Sequence, residues 1–269
     1  MTIEVLIPVR NPTEVFSKTI DSLAAQADKN FSVLISDNFS VKGADHIERA
    51  LKVLAAAGVP ARKVHPPVEL DRVGHWNWVH HQSNADWLKP LFAGDGLGAD
   101  YILTLRRTAQ AEPACGYIYC GYQLHQGEKT ETFISHWSGR FFTAVEMKDV
   151  VLRYAMQFGP PSAAAYTRQV FLQSGGYDPS LPICADSLFF CTLAYDFGGF
   201  GLKEALCHFH IHGDRFGAGL SSKRRESFRE SMTYFYLLAY RAWTDGVRVP
   251  KVGFSRLLAR EIRNRWFTG

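Results

Sequence analysis

From Ile3 to Arg107 the chain alternates short apolar runs with stretches of helical period, and few architectures accept that order. Ile3 to Val9 reads as a buried strand, ended by the loop Arg10-Asn11-Pro12. Thr13 stands as a cap for a helix whose apolar stripe is Val15, Phe16, Ile20 and Leu23. A strand from Phe31 to Ile35 leads to a helix from Ala44 to Ala57, with Ile47, Leu51 and Leu54 at helical spacing and Gly58 as its stop. A short strand from Arg62 to His65, a helix from Gly74 to Ser83, a strand from Trp87 to Phe92 and a helix from Leu97 to Arg107 continue the pattern. Strands separated by helices with short connections predict an α/β fold: a mostly parallel Rossmann-like sheet with helices on both faces.

After Pro113 the texture changes. Gly116 to Leu124 is aromatic and β-rich, Gln126 to Lys129 is a polar turn, and Phe133 to Phe142 is a second β-like segment around Trp137. This stretch reads as a β-insertion, because the α/β pattern resumes near Pro161. A strand from Ser162 to Tyr166, helices from Arg168 to Ser174 and from Ser187 to Phe197, and a strand from Leu206 to His212 follow, then a loop from Gly213 to Gly219. From Lys223 onward the chain is helical in pattern and basic, with eleven Lys and Arg against four Asp and Glu. The whole chain carries +4, so the residues before Lys223 carry −3. The organisation expected is one α/β domain over 1–222 and a basic helical C-terminal extension over 223–269. At 269 residues and 46% hydrophobic, the chain can bury a sizeable core.

Five scattered cysteines without a CxxC pair suit reduced thiols in a cytoplasmic setting. The chain opens on a strand rather than a basic leader, and it has no run of about 20 apolar residues to span a bilayer.

Three carboxylates stand where a sheet of this kind binds ligands. Asp37 and Asp95 each close an apolar run, and Asp186 follows the Gly175-Gly176 turn and precedes an apolar helix. Ligands of open α/β sheets sit beyond the carboxyl ends of the strands. Carboxylates there suit a metal, a ribose or a proton to be removed. His208, His210 and His212 alternate and share a strand face, a composition that suggests Zn²⁺. Same-face neighbours on one strand lie about 6.6–7 Å apart, which does not readily gather three around one ion.

The order Ile7-Pro8-Val9-Arg10-Asn11, Ile35-Ser36-Asp37-Asn38, Trp76-Asn77, Gly94-Asp95, Gly175-Gly176-Tyr177-Asp178 and Ala185-Asp186 resembles the A-type nucleotide-sugar glycosyltransferases. Among them it is most similar to glycosyltransferase family two, whose members invert the anomeric centre. The resemblance runs from Ile3 to Ser221, with its three aspartates 58 and 91 residues apart. It implies a nucleotide-binding half over 1–112 and an acceptor half over 113–222. Asp37 would read the base, favouring uracil or thymine, because a carboxylate accepts from an imide N–H. Pro8, Val9 and Arg10 would line base and ribose, although Arg10 stands where the family often has an aromatic residue. Asn77 and Gly94 would also lie at the nucleotide.

Asp95 matches the last aspartate of the family's Asp-x-Asp motif, implying Mn²⁺ or Mg²⁺ across the diphosphate. Ala93 and Gly94 replace the motif's other acidic positions. Asp186 aligns with the catalytic base, preceded by Ala185 where the family often has an acid. His212 would approach the metal or diphosphate, and Arg215 the phosphates.

The function implied is inverting transfer of a sugar from a UDP- or dTDP-linked donor to a saccharide or lipid-linked acceptor. Its setting would be polysaccharide or glycolipid assembly on the cytoplasmic side. Tyr117, Tyr119, Tyr122, Trp137, Phe141 and Phe142 read equally as sugar platforms or as an aromatic core. Residues 254–267 form a basic amphipathic pattern that suits either an anionic bilayer at the inner face of the cell membrane or docking on the fold. No motif for reading nucleic acid is present. Two rivals stand beside the transferase: a nucleotide- or carbohydrate-binding partner with a degenerate metal motif, and a Zn²⁺ hydrolase built on His208, His210 and His212.

Overall fold

The computed structural model describes residues 1–154, 159–211 and 224–249. Strands β1 (Ile3–Val9), β2 (Ser32–Asp37), β3 (Ala61–Val64) and β4 (Trp87–Pro90) alternate with helices α1 (Val15–Ala24), α2 (Ala44–Ala56) and α3 (Arg72–His81), as the periodicity predicts. There follow β5 (Gly96–Leu97), α4 (Tyr101–Ala111), β6 (Tyr117–Gln126), β7 (Lys129–Phe133), β8 (Phe141–Phe142) and α5 (Ala144–Tyr154). Then come β9 (Ala164–Thr167), α6 (Arg168–Ser174), α7 (Ala185–Phe197), β10 (Gly199–His210) and α8 (Arg224–Thr244).

All ten strands join one sheet in the order β3-β2-β1-β4-β9-β6-β10-β5, with β7 beside β6 and β8 beside β10. The first four are parallel, and β6 and β10 are parallel to each other. Antiparallel β9 joins the two groups, and β5, β7 and β8 are antiparallel to their partners. The sheet is mixed and mostly parallel.

Apolar clusters cover both faces. Val5, Ile7, Val33 and Ile35 face Phe16, Ile20, Leu54, Tyr101 and Leu105 of α1, α2 and α4. Leu6, Leu34 and Leu88 face Val73, Val79, Val151, Phe189 and Tyr234 of α3, α5, α7 and α8. A strand buried on both faces is nearly all apolar, and β1 departs from that only at Glu4, whose carboxylate pairs with Arg62 at 3.3 Å. Each fully buried aliphatic or Phe side chain contributes about 1.5–3 kcal/mol.

Four expectations are corrected here. Leu97 pairs with β10 as part of a two-residue strand, so the helix after it starts at Tyr101. No strand forms around Trp137; β7 ends at Phe133, and Phe141-Phe142 pair with the start of β10. Ala144–Tyr154 is a helix that the β-like reading overlooked. β10 begins at Gly199, well before Leu206, through a glycine-rich stretch that looks like a turn in sequence. The strand requires glycine at Gly201 because its neighbours crowd it: a Cβ there would lie 2.1 Å from the carbonyl oxygen of Trp137.

β2 and β3 extend the sheet on one side of β1 and β4 on the other, so a crevice opens beyond the carboxyl ends of β1 and β4. The loops at its rim are braced against each other. Asn11, at φ +51°, accepts at its Oδ1 from the backbone N–H groups of Val41 (2.9 Å) and Lys42 (3.2 Å). Gly43 has φ +73°, and a Cβ there would sit 2.0 Å from the Pro12 carbonyl oxygen. Gly43→Ala is therefore expected to cost about 2–3 kcal/mol, combining left-handed strain with a backbone collision. Gly58→Ala provides the comparison in urea unfolding: its φ is +74° but nothing lies within 4 Å of the added Cβ, so strain alone should appear.

Candidate active site

A cavity of about 680 Å³ occupies this crevice. Pro8, Val9 and Arg10 line it from the end of β1, Asn38 from the end of β2, and Phe92 and Ala93 from the segment after β4. Asp71, Arg72, His75 and Trp76 line it from the start of α3, and Asp186 from the first turn of α7.

The start of α3 depends on Asp71, whose backbone is extended and whose carboxylate accepts from Gly74 N at 2.7 Å. That cap starts the helix two residues before the Gly74 expected from sequence, and it puts Arg72 in the first turn. The Arg72 guanidinium carbon lies 4.4 Å from the centre of the Trp76 ring, and Trp76 packs on Phe92 with ring centroids 4.8 Å apart. Burial pushes the Arg72 pKa down, opposed by the nearby charges of Asp186 and Glu230. One turn on, His75 Nε2 lies 2.7 Å from Ser36 Oγ. Burial takes the His75 pKa down to about 4 in spite of Asp37, so the ring is neutral near pH 7.

Helix α7 starts at Ala185, so Asp186 is a first-turn residue rather than its cap. Its Oδ1 accepts from Ser187 N at 2.8 Å. Burial raises the Asp186 pKa, against the opposing pull of the Ser187 N–H and Arg72. The N–H groups ahead of the helix are held from a distance: Ile183 N and Cys184 N donate to Glu230 Oε2 of α8 at 2.7 and 2.9 Å. Nothing in the local sequence around Asp186 announces that contact.

The structure gathers Pro8, Val9, Arg10 and Asp186 around one cavity, while Asp37, Asn77, Gly94 and Asp95 are not among its lining residues. Asp37 ends β2, with Oδ1 accepting from Ser40 N at 3.1 Å and Oδ2 3.6 Å from Lys63 Nζ. Its neighbour Asn38 lines the cavity and pins Leu70 through both backbone groups, at 2.7 and 3.0 Å. Asn77 spends its amide on the Gly-Gly-Tyr turn, donating to Tyr177 O at 2.7 Å and accepting from Tyr177 N at 2.8 Å. Gly94, at φ +95°, donates its N–H to Thr19 Oγ1 at 2.9 Å.

Asp95 is fully buried, and Ser162 Oγ donates to its Oδ2 at 2.5 Å. The same Ser162 accepts, at its carbonyl, from the ammonium of Lys89, which also donates to Pro90 O at 2.9 Å. Lys89 has no exposed surface, and burial takes its pKa down to about 8.

A divalent ion does not fit these donors. Asp95 is enclosed and bonded to Ser162, Ala93 and Gly94 offer no carboxylate, and His212 lies outside the described residues, as does Arg215. Among the described residues no group of three or more His, Cys, Asp and Glu is placed to hold a metal. The strand histidines meet another histidine instead. His208 Nδ1 is 3.1 Å from His125 Nε2 of β6, and His210 stacks on His125 at 4.5 Å. Of the aromatic residues expected to stack on sugars or form a core, Tyr117, Tyr119 and Phe142 are core residues.

Behind the cavity a buried polar relay ties α3 to β9 and to the Gly-Gly-Tyr turn. His80 Nδ1 is 2.6 Å from Trp76 O, His80 Nε2 is 2.7 Å from Tyr166 OH, and Tyr166 OH is 2.8 Å from Tyr177 OH. A carbonyl only accepts, so Nδ1 carries the proton, Tyr166 donates to Nε2 and Tyr177 donates to Tyr166. Burial takes the His80 pKa down to about 4, which keeps this tautomer neutral.

Among the described residues no helix is long and apolar enough to cross a membrane, and residues 254–267 lie outside them.

No protein-family model matches the chain, and no curated protein is similar to it in sequence. Solved structures are similar in fold. S. aureus TarS 1-349 in complex with UDP-GlcNAc superposes with a TM-score of 0.71 at 10% identity, over 100% of this chain and 74% of that one. The same protein in complex with UDP gives 0.68 at 12%, over 100% and 73%. The mannosyltransferase PcManGT from Pyrobaculum calidifontis, in complex with GDP-Man and Mn²⁺, gives 0.59 at 13%, over 99% and 88%. With a mostly parallel sheet covered by helices and a cavity at the strand ends, this chain has the glycosyltransferase A-type fold.

Proposed function

We propose that the chain is an inverting glycosyltransferase that moves a sugar from a nucleotide diphosphate donor, uridine- or thymidine-linked, to an acceptor hydroxyl. The observation that carries this reading is Asp186, a carboxyl group of raised pKa that shares one cavity with the end of β1 and the start of α3. The cavity's size falls within the range of ligand pockets, about 300–1,000 Å³. TarS complexes with UDP and UDP-GlcNAc, and the PcManGT complex with GDP-Man, support a nucleotide-sugar donor.

In the reaction the acceptor oxygen bonds to the anomeric carbon from the face opposite the diphosphate. The bond from that carbon to the phosphate oxygen breaks, and its electron pair leaves with the nucleotide. Asp186 takes the acceptor's proton, and the burial that raises its pKa strengthens it as a base. Pro8, Val9 and Arg10 form the wall for the nucleoside, with Asp37 one residue before the cavity-lining Asn38. The acceptor we assign is a saccharide or lipid-linked hydroxyl, in polysaccharide or glycolipid assembly on the cytoplasmic side. Mn²⁺ or Mg²⁺, expected from the family resemblance, would need donors beyond the described residues. The steps above run on the chain's own side chains.

Calorimetric titration with UDP, dTDP and GDP, followed by nucleotide release from the matching sugar donors, tests the reading. Binding of UDP or dTDP with turnover is the expected result. Binding without turnover would leave a nucleotide-binding partner, and no binding of any of the three would sink the assignment.

A further inference from the structure

We infer that Arg72 receives the donor's diphosphate, taking the place that a metal ion would otherwise fill; this rests on the transferase reading above. A leaving nucleotide diphosphate must shed its growing negative charge onto something fixed in advance, and positive groups lining a water-poor site do this best. The acidic motif does not supply an ion holder, because Asp95 is enclosed with Ser162 and its charge is offset from within by Lys89. Lys89 itself is turned to the carbonyls of Pro90 and Ser162 and has no exposed surface, so it does not reach a ligand.

Among the described residues two guanidinium groups line the cavity, Arg10 and Arg72. Arg10 is ion-paired to Glu69 at 2.5 Å, and both side chains are about half exposed at the rim. Arg72 is better placed. It lies at the first turn of a ten-residue helix, where the helix dipole also favours an anion. Its planar fork is stacked on Trp76, which Phe92 backs, so little side-chain freedom is lost when two phosphate oxygens engage it. Burial lowers its pKa against the pull of Asp186 and Glu230, and a bound diphosphate would add to that pull.

The same arrangement links donor binding to the base. The charge of Arg72 pulls the Asp186 pKa down, against the burial that raises it. Once phosphate oxygens neutralise Arg72, that restraint weakens and Asp186 becomes a stronger proton acceptor. The carboxylate is then most basic when the donor is in place, which favours attack by the acceptor only after the donor has bound.

The test compares UDP with uridine, since only UDP carries phosphates. Both are titrated into the full chain, into Arg72→Gln and into Arg72→Lys, with a chelator present and again with Mn²⁺. We expect the unaltered chain to prefer UDP over uridine in chelator. Arg72→Gln should weaken UDP about 10–100-fold, the range of a charge-assisted hydrogen bond, while uridine affinity stays the same and reports an intact fold. Arg72→Lys should recover part of the loss. The inference is overturned if Arg72→Gln leaves the ratio of the two affinities unchanged, or if the preference for UDP appears only with Mn²⁺. In either case the transferase reading survives. If the unaltered chain binds no nucleotide, both fall together.

Discussion

Asp186→Asn is expected to lower sugar transfer by about 10²–10⁴-fold, the usual worth of a positioned general base, while UDP affinity holds or rises. The amide is nearly isosteric, and its oxygen still accepts the Ser187 N–H that the carboxylate accepts now. It lacks the ability to take a proton from the acceptor. Removing a negative charge beside Arg72 also makes the cavity more welcoming to a diphosphate. Initial rates of UDP release and calorimetric titration on the same preparation separate the two effects. In the unaltered chain, the acid limb of kcat/KM should fall at a pH above the ordinary carboxylate range, because burial raises the Asp186 pKa. An equal loss of binding and rate in Asp186→Asn would assign the residue to helix architecture instead.

Acidification should unfold the protein earlier than carboxylates alone would dictate. His75 and His80 are buried, and both pKa values lie at about 4 in the fold against 6.5 for a free imidazole. Between those values the unfolded chain binds protons that the folded chain refuses, so stability rises with pH through this window. It is complete above about pH 6.5 and is lost as pH falls toward about 4, by roughly 3 kcal/mol for each histidine over the full interval. Urea unfolding at pH 7.5, 6.0 and 5.0 measures the slope, and His80→Gln should flatten part of it. A stability that does not change between pH 7.5 and 5.0 would mean that these rings keep their protons in the fold.

The first half of the fold was legible because β1, β2 and β4 are largely buried runs and α1 and α2 each bury one apolar face, so period and composition agree; β3, at the sheet edge, is partly exposed. The second half obscures both signals. Gly199 and Gly201 look like turn residues, yet they lie in β10 because the Tyr117 ring and the Trp137 backbone leave no room for a side chain. α5 was hidden by the aromatic residues just before it, which suggested that β structure continued. In the site, the family resemblance singled out Pro8, Val9 and Arg10, which line the cavity, whereas of the three aspartates that strand-end logic singled out only Asp186 does. Asp71 was the signal available for Arg72, since a capping carboxylate three residues before Gly74 moves the helix start. Nothing in sequence signals that His75 meets Ser36 or that Asn77 is spent on Tyr177, because those partners stand 39 and 100 residues away.

The clamp of Glu230 on Ile183 and Cys184 has a consequence for how the protein is made. A nascent chain that has released everything through α7 still lacks the carboxylate that receives those two N–H groups. Domains generally fold as units during synthesis. The turn that carries Asp186 is therefore secured only once α8 has joined the fold. Synthesis itself sets the order: a chain that ends before α8 leaves the entry to α7 without the carboxylate that holds it.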